Sequence, residues 1–181
     1  ADSLSGGTGN DTVSAGNGND SIDSGDGADS IAAGFGADTV FGGLGNDTIV
    51  AAEVDAGDYL SGDVGADSIQ GGNSSDTLLG GDDNDTIAGL FGADSISGGN
   101  GSDSINAGTA ADTVSGGEGA DTIIATGDAV GDILSGEAGA DSILGGGGAD
   151  TLDGGNENDR VNGGNGNDIL FAGNGVDTLI G

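Results

Sequence analysis

The residues with the clearest chemical potential are aspartates that recur every nine positions. Asp occupies the same place in 19 successive units from Asp11 to Asp177, and Asp2 adds a twentieth. Only one basic residue, Arg160, stands against 32 acidic residues, so few carboxylates can pair with a protein cation. Carboxylate oxygens are ligands that hard cations such as Ca²⁺ prefer. The spacing therefore predicts a repeated site for metal cations.

Each unit has nine places, as in GGTGNDTVS from Gly6, GGLGNDTIV from Gly42 and GGNGNDILF from Gly163. The Asp stands at the sixth place, and the eighth place is Leu, Ile or Val without exception. Such a fixed period is typical of a solenoid. Two units, 51–61 and 125–135, have eleven residues and keep the same phase, so their extra residues are predicted to lie in turns.

The pattern predicts an all-β fold. The first six places read as a glycine-rich turn and the last three as a strand, with the eighth side chain inward and the seventh and ninth outward. Strands that alternate between two sheets give a right-handed parallel β-roll with 18 residues per coil, roughly 45 Å long at about 4.8 Å per coil. We expect residues 1–181 to form one domain of a longer protein. The two long turns are an even number of units apart and should share one edge.

Composition excludes several classes of protein. With 44 Gly, five aromatic residues and a net charge of -31, the chain should not fold by hydrophobic collapse alone. Nucleic acids and anionic membranes are poor partners for such a polyanion, and no apolar run is long enough to insert into a bilayer. Because His, Cys and Lys are absent, we expect no catalytic residues and no enzyme activity. Calcium ions are the predicted cofactor.

The units resemble the RTX, or hemolysin-type, calcium-binding repeat with consensus GGxGxDxUx. The resemblance implies that each ion lies between the turns of units two apart, bound by the sixth-place Asp of both turns and by backbone oxygens. One column of metal ligands would be Asp11, Asp29, Asp47, Asp67, Asp85, Asp103, Asp121, Asp141, Asp159 and Asp177. The other would be Asp2, Asp20, Asp38, Asp58, Asp76, Asp94, Asp112, Asp132, Asp150 and Asp168.

Ten residues in a column leave nine gaps, so the two columns offer at most about 18 sites. No preformed site exists in an expanded polyanion, so calcium binding should drive folding. The fourth place, usually Gly, is Ala110 in one nine-residue unit and Ala56 and Val130 in the two long units, and positive φ is unfavourable for Ala110 and Val130. The weakest sites are therefore expected at Asp58, Asp112 and Asp132.

Three functions remain open. The first is a calcium-binding structural segment of a secreted or cell-surface bacterial protein, such as a surface-layer subunit or adhesin, with self-association into a lattice or filament. The second, which the resemblance also implies, is a calcium-triggered folding and secretion module of an enzyme or toxin exported by Gram-negative type I secretion. The third is ice binding by outward Ser and Thr at the seventh place.

Two surface features add hypotheses. Phe35, Phe41, Leu44, Phe91 and Phe171 stand at variable third or ninth places and are expected to point outward, where they could make lateral contacts. Extra acids in the long turns, Glu53 and Asp55 in one and Asp128 in the other, leave open a docking role, an additional calcium role or no role.

Overall fold

The structure, a computed structural model, describes residues 1–51 and 56–181. Throughout these residues the regular elements are β-strands, which form two parallel ten-stranded sheets. They include no helix long and apolar enough to cross a membrane. The all-β, two-sheet roll predicted from the repeat is confirmed.

The sheets are named here by strand number. The odd sheet contains β1 (Ser3–Thr8), β3 (Ser21–Asp26), β5 (Thr39–Leu44), β7 (Tyr59–Val64), β9 (Thr77–Asp82), β11 (Ser95–Asn100), β13 (Thr113–Glu118), β15 (Ile133–Ala138), β17 (Thr151–Asp153) and β19 (Ile169–Phe171). The even sheet contains β2 (Thr12–Ser14), β4 (Ser30–Ala32), β6 (Thr48–Val50), β8 (Ser68–Gly72), β10 (Thr86–Leu90), β12 (Ser104–Asn106), β14 (Thr122–Ile124), β16 (Ser142–Gly148), β18 (Arg160–Gly166) and β20 (Thr178–Ile180).

Successive strands alternate between the sheets, and each strand pairs with the strand two positions along the chain. Ile87 in β10, for example, pairs in register with Ile69 in β8 and Ile105 in β12. One coil therefore takes two units, as the nine-residue period predicts. The register stacks equivalent places of the repeat directly above one another.

The core is a thin layer between the sheets. Eighth-place side chains such as Ile49 and Ile143 are fully buried, as predicted. First-place side chains also enter this layer, because Ala33 and Ala107 are fully buried and Ser24 is buried with them. The sequence analysis did not assign the first place to the core, although the residue there is Gly, Ala or Ser in every unit.

The strands are longer than the three residues predicted, chiefly in the odd sheet. There β3 runs over six residues, because Gly25 and Asp26 continue the parallel pairing with Gly43 and Leu44 of β5. The first half of the predicted turn is thus strand. The true turn is confined to about the fourth to sixth places, which brings the Asp to its end.

Each long unit lies between an even strand and the odd strand that follows it, one between β6 and β7 and the other between β14 and β15. The prediction that both share one edge of the roll is confirmed. Glu53 and Asp55 lie outside the described residues, so the hypothesis about them concerns the sequence alone.

Candidate metal centre

The turns bring the sixth-place aspartates together in two columns, one on each edge of the roll. Within a column, the backbone N–H of each Asp donates to Oδ1 of the Asp one coil further along. The backbone nitrogen of Asp67, for example, lies 2.8 Å from Oδ1 of Asp85. The backbone nitrogen of Asp85 in turn lies 2.8 Å from Oδ1 of Asp103. All twenty predicted aspartates take part in these contacts, which are 2.6 to 3.1 Å long.

The second carboxylate oxygen, Oδ2, is the notable atom of the column. It is buried and makes no hydrogen bond with the described residues in Asp11, Asp20, Asp29, Asp47, Asp67, Asp85, Asp94, Asp103, Asp112, Asp121, Asp141, Asp150 and Asp159. A buried oxygen that carries negative charge is unfavourable unless a cation or a donor compensates it. The repetition of this atom along both edges points to a repeated cation.

Where the first place of the unit is Gly, a backbone carbonyl of the neighbouring coil lies near this oxygen. A Cβ placed on Gly80, at the first place of its unit, would lie 2.3 Å from Oδ2 of Asp85 and 2.4 Å from the Gly98 carbonyl oxygen. The equivalent point on Gly98 lies 2.2 Å from Oδ2 of Asp103 and 2.5 Å from the Gly116 carbonyl oxygen. Carboxylate and carbonyl oxygens therefore converge beside the first place, which explains why its side chains are small.

Ser24 shows that the first-place carbonyl can accept a contact. Its buried hydroxyl donates to the Gly42 carbonyl oxygen at 2.5 Å. Where the first place is Gly, that residue has no hydroxyl to donate to this carbonyl. A backbone carbonyl is a ligand of the kind that Ca²⁺ takes together with carboxylates.

Burial and crowding alter the acidity of the columns. Burial raises the pKa of Asp85 to about 7; the Asp67 N–H opposes this shift, while the carboxylates of Asp67 and Asp103 add to it. Burial likewise raises the pKa of Asp94 to about 7 and that of Asp112 to about 6. Burial also raises the pKa of Asp47, Asp67, Asp103, Asp121, Asp132, Asp141, Asp150 and Asp159. The columns thus hold negative charge at an electrostatic cost that a cation would remove.

Side chains alone do not complete a metal site. Among residues 1–51 and 56–181, no three acidic side chains converge on one point with the geometry of a metal centre. Calcium requires six to eight oxygens. The residues present fit calcium only if the carboxylates act together with backbone carbonyls, which is the mixed donor set found beside the first place.

Of the predicted weak points, Ala110 keeps the positive φ of the fourth-place glycines, whereas Val130 does not have a positive φ. Ala110 adopts φ +91, in the left-handed region, as Asp83 and Glu157 do at the same place of their units. The Ala110 N–H donates to Oδ2 of Asp128, whose Oδ1 accepts the Val130 N–H at 2.9 Å. Asp128 of the second long unit therefore holds two turns together.

The aspartates expected to form the weakest sites stay within their column. Oδ1 of Asp112 accepts the Asp94 N–H at 2.8 Å, and Oδ1 of Asp132 accepts the Asp112 N–H at 2.9 Å. Oδ1 of Asp58, in the first long unit, accepts the Asp38 N–H at 2.7 Å. Their backbone contacts match those of the other coils.

Fold and site together define a class: a parallel β-roll whose turns present columns of buried carboxylates to cations. The family model for the RTX calcium-binding nonapeptide repeat matches the chain over residues 1–31, 24–49, 54–87, 88–123, 126–161 and 153–181. The chain belongs to this family of calcium-binding repeats. No curated protein matches the sequence.

Proposed function

We propose that this chain is a calcium-folded structural region of a secreted or cell-surface bacterial protein of the surface-layer or adhesin type, with the sixth-place aspartates as its metal ligands. The observation that carries the proposal is the buried Oδ2 atom beside a first-place carbonyl, repeated along both edges. Membership of the calcium-binding RTX family supports the choice of ion.

The division of labour within each carboxylate supports the ligand assignment. Oδ1 of Asp85 accepts the Asp67 N–H, which fixes the direction of the side chain. Oδ2 is then left facing the Gly98 carbonyl across the first place of the unit. Oδ2 and this carbonyl would hold the ion, and the bound calcium supplies the positive charge that the columns lack.

The overall charge agrees with this proposal. Up to about 18 divalent ions, one for each gap, would bring roughly 36 positive charges to a chain of net charge -31. Because the two oxygens converge only when coils are stacked, calcium affinity and folding free energy are linked. The chain is then expanded without calcium and folded with it.

A calcium titration tests the proposal. The chain is stripped of metal with chelator, exchanged into metal-free buffer and titrated while far-UV circular dichroism is recorded, and equilibrium dialysis measures the bound ions. We expect a cooperative gain of β structure with calcium and not with equal concentrations of magnesium, whose stricter octahedral geometry suits the site poorly. Full sheet structure in the metal-free chain, or binding of only one or two ions at saturation, would overturn it.

The surface role requires a separate test. Immunolabelling of intact producing cells, before and after washing with chelator, should show surface protein that is lost with calcium removal. Protein recovered only from the culture medium, attached to a catalytic domain, would instead support the alternative of a folding and secretion module.

One observation favours ice binding as a second candidate. Eight successive seventh-place residues of the even sheet, from Thr12 to Ser142, are exposed hydroxyl side chains. They stand in register at about 4.8 Å per coil. Thermal hysteresis of the calcium-loaded protein tests this candidate, and a freezing point equal to the melting point would reject it.

A further inference from the structure

The outer face of the odd sheet carries two patches of apolar side chains. Phe41, Leu44, Tyr59, Val64 and Leu79 form the first patch, on the neighbouring strands β5, β7 and β9. Its rings are in contact, since the centroids of Phe41 and Tyr59 are 5.8 Å apart. Large apolar groups that share an exposed surface mark interaction sites, whereas isolated ones do not.

The second patch lies on the same face, towards the other end of the roll. It consists of Ile133 on β15 with Ile169 and Phe171 on β19, and all three side chains are more than half exposed. Strand β17, with Thr151 and Asp153, lies between them in register. The two patches therefore stand on either side of β11 and β13, and β1 and β3 lie beyond the first patch.

A trough of about 680 Å³ runs over the strands from β7 to β15, and Val64 and Leu79 of the first patch form part of its wall. Small residues such as Ser97 and Gly99 line its centre, and acidic residues stand at its ends. Asp63 replaces the second-place Gly with φ +71 and accepts the Ser61 hydroxyl at 2.6 Å. Glu137, four coils away, also replaces a second-place Gly and has φ +72.

The even face is different. Its seventh-place row offers hydroxyls, and its exposed phenylalanines, Phe35 and Phe91, are three coils apart along the sheet. The even face also carries aliphatic side chains, such as Ile124 and Leu144 in register, but within the described residues the aromatic rings in contact, Phe41 and Tyr59, lie on the odd face.

We infer that the odd face binds the odd face of a second copy of this chain. A face with one apolar patch on β5 to β9, another on β15 to β19 and a trough carrying acidic side chains centred between them is self-complementary. Either two-fold arrangement, with coils running parallel or antiparallel, sets apolar patch on apolar patch and trough on trough. This inference rests on the calcium-dependent fold proposed above and names the surface by which the folded rolls associate.

The available area is sufficient for a stable pair. The six-residue strands from β5 to β15 cover about 29 Å along the roll and about 20 Å across it, and the three-residue strands β17 and β19 add about 10 Å by about 10 Å. The area is roughly 670 Å² per copy, so the total for two copies, about 1,340 Å², falls within the ~1,200 to 2,000 Å² of a standard protein interface.

The trough makes the pair dependent on cations. Facing troughs would bring the carboxylates of Asp63, Asp82, Glu118 and Glu137 close to those of the partner. Like charges on both copies oppose contact. Divalent cations, which fold each copy, also reduce this repulsion, so association follows calcium loading.

Matched serine substitutions test the surface. Leu44→Ser and Phe171→Ser each change one patch, and Phe91→Ser changes a side chain of the even face; the three side chains are 52%, 52% and 56% exposed. In saturating calcium, with folding verified by circular dichroism, sedimentation equilibrium should show a dimer of the native chain. We expect the first two variants to raise the dimer Kd at least tenfold and the third to leave it unchanged.

Cross-linking locates the contact independently, since the chain has no Cys. Ser97→Cys lies at the centre of the odd face and Ser104→Cys near the centre of the even face. A short bis-maleimide should join two copies of the first variant in calcium and leave copies of the second without a cross-link. Folded chain that stays monomeric at high concentration, or equal cross-linking of both variants, overturns the inference while leaving calcium-dependent folding intact. Failure of calcium to induce sheet structure would instead reject the proposed function.

Discussion

The backbone N–H of Asp67 donates to Oδ1 of Asp85 across 18 residues of sequence. The Asp85 carboxylate therefore contacts the coil before its own with Oδ1 and keeps Oδ2 buried beside the first place of its own unit. The same side chain joins two coils and contributes an oxygen for a cation. Coil stacking and cation binding are consequently parts of one process.

Replacing one column residue should remove two neighbouring ions. Asp85→Asn keeps an Oδ1 that accepts the Asp67 N–H but puts an amide nitrogen where Oδ2 stands, so the gaps on both sides lose a carboxylate ligand. We expect equilibrium dialysis to show about two fewer bound ions, one for each adjoining gap. The calcium midpoint of folding should rise several-fold.

Asp82→Asn is the matched control, because Asp82 lies on the same coil and its exposed carboxylate accepts the Asn100 amide at 2.6 Å, outside the column. Its ion count and midpoint should equal those of the native chain. Equal losses in the two variants would show that general charge, rather than the column, governs binding.

Acidification should favour the sheet structure of the metal-free chain. The folded-state pKa of Asp85 is raised to about 7 from an ordinary value of 3.8, and others in both columns are raised with it. A raised folded-state pKa makes a contribution to stability that is full below the unfolded value and is lost as pH rises through the folded value. Circular dichroism without calcium should therefore show more β structure at pH 5 than at pH 8.

Calcium should reverse this pH dependence, because protons compete with the ion for the same carboxylates. At limiting calcium, sheet content should rise between pH 5 and pH 8. A metal-free chain that is less ordered at pH 5 than at pH 8 would contradict the expected direction.

Truncating a core residue should destabilise the folded roll strongly. Ile123 is fully buried between Ile105 and Ile143 of the adjacent coils. Ile123→Ala should cost about 2 to 5 kcal/mol of unfolding free energy. Thr122→Ala, at the exposed neighbouring place, should cost less than about 0.5 kcal/mol. Thermal unfolding at fixed saturating calcium compares the two, and similar midpoints would argue against a cooperative aliphatic core.

The close stacking of turns can be tested with two glycines of the same conformation. Gly43 has φ +102, and a Cβ there would lie 2.1 Å from the Gly25 carbonyl oxygen of the preceding coil. Gly7 also has φ +102, but its Cβ would meet nothing within 4 Å. Gly43→Ala should destabilise the fold by more than Gly7→Ala, whose cost is the conformational strain of about 1 kcal/mol. Denaturation at fixed calcium measures both, and equal losses would show that the coils separate freely at this point.

Much of the fold could be predicted from periodicity. A nine-residue period with an aliphatic eighth place leaves one inward direction for residues such as Ile87, so strand position, two-sheet alternation and the shared edge of the long turns all follow from it. Strand length did not follow. Whether Gly25 pairs with Gly43 depends on the spacing of adjacent coils, which the one-dimensional pattern does not contain.

The sequence by itself determined which residues recur together: the sixth-place aspartates, the aliphatic column and the glycine turns. It could do so because parallel stacking aligns equivalent places of successive coils. Only the tertiary structure decided which oxygen of Asp85 is satisfied by a backbone N–H, which one faces the Gly98 carbonyl and why the first place must be small. Those facts depend on distances of a few ångströms between residues 18 apart. The same holds for the two apolar patches, since Leu44 and Phe171 share a face only after the chain has coiled.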